Sequence, residues 1–137
     1  MSGVIVLDGK ISKLPYPLYP RFKNTYTKGY RFHIPPDQSL ITLQLGGPGN
    51  ILPDSELELL EVTVMQSGFD DRDNWSLYID NSVVLDTIYT KELGQIKTLK
   101  GVKKIINGQS IELKYDNVSG TSKVIWIDLD FMSKNLP

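Results

Sequence analysis

The chain has 137 residues, 40% of them apolar, with 15 basic against 16 acidic side chains. That length holds one domain with a real core but not two ordinary ones, and the near-neutral balance gives no long-range pull on nucleic acid or an anionic membrane surface. Cysteine is absent and histidine occurs once, which excludes disulfides, thiolate or imidazole metal clusters and cysteine nucleophiles.

The opening MSGVIVLDGK lacks a basic n-region, and its apolar run spans only residues 4–7. No secretory signal is therefore expected, no apolar run approaches the ~20 residues of a membrane helix, and the chain is expected to be made in the cytoplasm. Residues 14–20, LPYPLYP, interleave three prolines with Tyr16, Leu18 and Tyr19. Such spacing favours an extended, polyproline-like segment. It reads either as a strap across one end of its own domain or as an arm that docks on a neighbouring subunit. The strap is the more ordinary arrangement.

Tyr26, Tyr30, Phe32 and Ile34 share one parity and Thr25, Thr27, Arg31 and His33 the other, the pattern of a half-buried strand, with Gly29 marking a bulge. Pro35-Pro36-Asp37 ends it. Ile41, Leu43 and Leu45 form a second strand that stops at the glycine-rich residues 46–50. That loop lacks the Gly-Lys-Ser/Thr ending and the following helix of a phosphate cradle, so it reads as a surface turn. In residues 56–66, Leu57 and Leu59 fall on one parity and Leu60, Val62 and Val64 on the other. The slip predicts a bulge in a strand. A short helix over residues 54–61 is the alternative, which Val62-Thr63-Val64 prevents from extending.

Trp75, Leu77 and Ile79 alternate with polar neighbours, and Asp80-Asn81 turns into Val83-Val84-Leu85 as a hairpin. Asn107-Gly108 is a strong turn signal, followed by Ile111, Leu113 and Tyr115 in alternation. The last strand carries Ile125, Ile127, Leu129 and Phe131 on one face. Val124 and Trp126 begin the other face before Asp128 and Asp130 take over, so the strand is expected to be central and partly covered. Eight or so strands with regular turns and no repeat or linker predict an all-β, antiparallel β-sandwich, jelly-roll-like, with an extended Pro/Tyr-rich amino-terminal segment. The expected layout is one domain over residues 1–137, with 1–24 as strap or arm and 25–133 as the sandwich.

The densest candidate chemistry is the loop Asp70-Asp71-Arg72-Asp73-Asn74. Asp70, Asp71 and Asp73 could supply hard oxygen ligands to calcium. Arg72 weakens the local field, however, and Asp and Asn favour turns for their own backbone bonds. Asp128 and Asp130 lie about 7 Å apart on one strand face, a spacing any D-x-D strand shows, so nothing selects them as a hydrolytic pair. His33 reads as an exposed structural residue. Trp75 and Trp126 read as core, while Tyr16, Leu18, Tyr19, Tyr26 and Tyr30 are freer to form a partner-binding face. Lys97, Lys100, Lys103 and Lys104 lack interleaved stacking residues and read as guards of a sheet edge.

The stretches FDDRDNWSLYIDNSVVLDTIYTKELGQ and GQSIELKYDNVSGTSKVIWIDLDF resemble small β-sandwich structural proteins of Firmicute phages, prophages and phage-tail-like particles. The likeness covers about residues 69–131. It rests on Asp73, Trp75, Leu77, Tyr78 and Ile79, on Asp86 and residues 88–92, and on residues 117–123 with Trp126. It implies a non-enzymatic virion or tail-particle structural or accessory protein, assembled with copies of itself and other particle proteins through packed apolar surface and strand-edge pairing. The alternative is a carbohydrate-binding β-sandwich module that recognises a surface glycan with calcium at the acidic loop. Neither reading involves nucleic acid or a membrane.

Overall fold

The structure is a computed structural model and describes residues 20–47, 56–106 and 108–135. Eight strands are found there: β1 (Asn24–Ile34), β2 (Leu40–Gly46), β3 (Leu57–Gln66), β4 (Asn74–Ile79), β5 (Ser82–Tyr89), β6 (Gln95–Ile105), β7 (Ile111–Asp116) and β8 (Lys123–Ser133). All pairings are antiparallel. One sheet has the order β1-β8-β3-β6 and the other β2-β7-β4-β5. Successive strands change sheets at every connection except the β4–β5 hairpin, which is the double Greek key of a jelly roll. The sandwich expected from period-two alternation is thus the fold.

Alternation decides which side chains meet between the sheets. Ile125, Ile127, Leu129 and Phe131 of β8 face Trp75 and Leu77 of β4 and Leu113 and Tyr115 of β7, all buried in one core. As expected for the last strand, β8 lies inside its sheet, between β1 and β3.

The parity slip in β3 is a bulge, not a helix. Leu59 pairs with Phe131 and Glu61 with Asp130, so Leu60 is the extra residue, and Leu57, Leu59, Val62 and Val64 all reach the core. Opposite it, β6 runs from Lys103 to Thr98 while β3 advances only from Leu59 to Glu61. The surplus residues of β6 bow out from the sheet. Asp80 and Asn81 have φ values of 48° and 64°, the paired left-handed conformations of a type I′ hairpin turn. Gly29 marks no bulge, because the β1–β8 register runs unbroken across it.

Two expectations about aromatic side chains are corrected. Trp75 is core, but Trp126 is 41% exposed on the outer face of β8. Tyr26 and Tyr30 face inward and are half-buried against the core. Tyr26 stacks on Phe131, Tyr30 stacks on Phe32, and the Tyr30 hydroxyl donates to the Leu45 carbonyl at 2.6 Å. These two tyrosines therefore present no free partner-binding face. Tyr16, Leu18 and Tyr19 lie outside the described residues.

Just after that segment, the chain crosses the outside of its own sheet. The Glu58 carboxylate accepts from the Arg21 N–H at 3.0 Å and the Phe22 N–H at 2.8 Å. Glu58 is buried there although it points away from the core.

Candidate functional site

The residues shared by the D-x-W and N-x-S-G-T-S-K stretches converge at one end of the sandwich. Asp73 continues the inward row of β4, Trp75 and Leu77. Lys123 begins the inward row of β8, followed by Ile125 and Ile127. The two rows belong to facing sheets, so their first members meet across the interior. Lys123 Nζ lies 3.0 Å from Asp73 Oδ2, and both side chains have no solvent exposure.

The remaining polar capacity of the pair is taken up by the connections around it. Lys123 Nζ also donates to the Gly68 carbonyl at 2.6 Å and to Thr121 Oγ1 at 2.9 Å. All three ammonium protons therefore have acceptors. Asp73 Oδ1 accepts from the Ser119 N–H at 3.0 Å and Oδ2 from the Ser119 hydroxyl at 3.2 Å. Asn117, also buried, donates through Nδ2 to the Thr121 carbonyl at 3.0 Å. Thr90 closes the other side. Its N–H donates to the Asp73 carbonyl at 2.9 Å and its hydroxyl to the Asp70 carbonyl at 2.8 Å. Asn117, Ser119, Thr121 and Lys123 thus form an alternating polar row that plugs this end of the sandwich and ties three connections together.

Tyr115, the register partner of Trp75, sits beneath this plug. Its buried hydroxyl has no hydrogen-bond partner at good geometry. Burial pushes its phenol above the ordinary range, and the nearby Asp73 carboxylate adds to the shift.

The acidic loop does not form a cation cage. Asp70 is chelated by Arg72 through Nε at 2.9 Å and Nη2 at 2.8 Å, and these bonds hold its carboxyl below the usual range. Asp71 is exposed, while Asp73 turns inward to Lys123. The three carboxylates point to three different places. Among the described residues no group of three or more His, Asp or Glu is placed to hold a metal ion.

The other candidate residues are equally separate. Asp130 Oδ1 accepts from the Thr27 hydroxyl at 2.6 Å, while Asp128 stands exposed opposite Gly29. His33 is exposed on β1. Lys97, Lys103 and Lys104 lie on β6, an edge strand, as a guarded edge requires.

The plug has a sequence signal in retrospect, a period-two run of small polar residues ending in lysine. What the residues cannot show is its partner Asp73, 50 positions away.

No helix among the described residues is long and apolar enough to cross a membrane. No curated protein and no solved structure matches the chain. One family model does, over residues 22–136, and it takes in all eight strands. The chain therefore belongs to the family described as a domain of unknown function, DUF8551.

Proposed function

We propose that the chain is a non-enzymatic structural or accessory subunit of a virion or phage-tail-like particle, and that it works by packing against other subunits. The observation that carries this reading is the open flank of the sandwich. Between β5 and β6, the edge strands of the two sheets, lies a groove of about 480 Å³ whose apolar lining is Val84, Leu85, Ile88, Leu99 and Val102, with Lys97 and Lys103 also on its walls. Val83, paired with Tyr78, and Ile96, paired with Thr63, stand on the outward faces of the same two strands and are 50% and 61% exposed. The apolar side chains that line this groove suit a neighbouring subunit, because burying them there removes them from water.

The mode of contact follows from the strands. β5 shifts register against β4 twice, holds Thr87 at φ 53°, and faces a β6 that bows out. Bulged edges are poor templates for an added strand, so side-chain packing into the groove is the mechanism on this flank. The buried polar plug supports the same reading. Its charges are committed to one another and present no group to a substrate.

Incorporation of the chain, in many copies, into particles purified from producing cells tests the proposal. Val84→Lys with Ile88→Lys, both half-buried in the groove, should lower incorporation while circular dichroism shows the free chain still folded. A chain recovered only as free protein would refute it.

A saccharide-binding reading has one observation in its favour. Trp126 offers an exposed ring beside Asp128 and Arg31. Binding of a glycan array by the isolated chain, lost in Trp126→Ala, would establish that reading instead.

A further inference from the structure

The outer face of the β1-β8-β3-β6 sheet sets exposed apolar side chains among its polar ones. Register sets its side chains in rows. Arg31, Trp126 and Met65 form one row. Gly29, Asp128 and, one strand beyond β3, Ile96 lie in the next. Trp126, Met65 and Ile96 are 41%, 49% and 61% exposed. Tryptophan, methionine and arginine are the types most enriched in protein interfaces.

Two charges flank the ring. Arg31 and Asp128 enter none of the ion pairs found among the described residues. Between them Gly29 has no side chain, and the Asp128 carboxylate leans over it, so close that a Cβ there would come within 3.0 Å of Asp128 Oδ1. A positive group stands on one side of the aromatic ring and a negative group, laid over Gly29, on the other, and such a pattern can complement itself.

We propose that this face docks on the same face of a second copy of the chain, an inference that rests on reading the chain as an assembling subunit. A two-fold axis lying between the faces and crossing the strands midway between the two rows exchanges the rows. Each Arg31 then comes over Gly29 of the other copy, onto the Asp128 carboxylate that leans there, and the contact occurs twice. The rows are about 7 Å apart and the strands about 4.8 Å apart, so the exchange offsets the two Trp126 rings instead of driving them together.

The second copy is the occupant favoured over a sugar. Met65 and Ile96 give a pyranose no stacking face, yet both are buried by an opposed sheet. The face measures roughly 500 Å² in projection from strand spacing and rise, less than the ~800 Å² per partner of a standard stable interface. The contact alone therefore gives a dimer that forms at raised concentration. Further subunit contacts such as the β5–β6 groove complete the assembly.

Sedimentation velocity on the full chain over rising concentration tests this. A monomer–dimer equilibrium is expected, weakened about tenfold or more by Arg31→Asp alone and by Asp128→Arg alone. The double variant Arg31→Asp/Asp128→Arg should restore it, and Trp126→Ser should abolish it. Unchanged melting temperatures show that the variants fold. Oligomers that ignore the charge reversals overturn this interface and leave the assembly reading standing. A wild-type chain that is monomeric at every concentration overturns the interface and self-assembly together. Quenching of Trp126 fluorescence by a neutral oligosaccharide, with the chain still monomeric, assigns the face to sugar and overturns the proposal.

Discussion

Removing the ammonium from the polar plug is the sharpest test of how this end of the sandwich is held. In Lys123→Met the stem is replaced by a chain of similar volume, but the three bonds of Nζ, to Asp73, Gly68 and Thr121, are all lost. Asp73 keeps its two bonds from Ser119, so its charge is partly solvated by the protein but stays buried and uncompensated. Breaking such a pair from one side costs about 3–5 kcal/mol. A domain of this size has about 5–15 kcal/mol in total, and roughly 4 °C of melting temperature goes with each kcal/mol. A fall of about 12–20 °C is expected, read by circular dichroism or calorimetry. Asp73→Asn keeps an acceptor for the Ser119 N–H and should cost less. Asp73→Leu/Lys123→Met removes both charges and should recover much of the loss. A cost below about 1 kcal/mol for Lys123→Met, or a double variant no better than the single, would refute the view that the buried charge pair is a coupled unit.

Other expectations follow from single features. Glu58→Ala removes the acceptor of the Arg21 and Phe22 N–H groups. Amide exchange at those two residues should quicken by about tenfold, read by hydrogen-exchange NMR, with the β8 amides unchanged. Burial raises the Tyr30 and Tyr115 phenols above their ordinary range. Their contribution to stability is complete below the unfolded value near pH 10 and is lost as pH rises toward their folded values. In an alkaline absorbance titration, two of the seven tyrosines should ionise only with unfolding. Trp75 is buried and Trp126 exposed, so acrylamide should quench one tryptophan population and spare the other. Trp126→Phe should remove the quenchable one.

The parts of the fold legible from residues alone are those set by local rules. Period-two alternation placed β1, β4, β7 and β8, because one face of each is buried and the other is not. The Asp80-Asn81 turn was readable because few residues tolerate paired positive φ. The slip at Leu60 pointed to a bulge because all four apolar neighbours had to reach one core. What failed depended on distant chain. Trp126 follows Val124 on a face that looks apolar, yet that face of β8 points away from the core. Tyr26 and Tyr30 looked free because β1 lies early in the chain, yet the strand pairs with β8 and turns both rings inward. Asp73 read as a loop carboxylate open to calcium and Lys123 only as part of a turn stretch, because their meeting depends on two sheets closing over one another.

The central claim is that this chain acts by packing against other subunits, and particle fractionation tests it most directly. Quantitative mass spectrometry across a density gradient of particles from producing cells should find the chain at a fixed, multi-copy ratio to the other particle proteins. The same peak should lose it in Val84→Lys/Ile88→Lys. A chain confined to the soluble fractions at the top of the gradient would contradict the account.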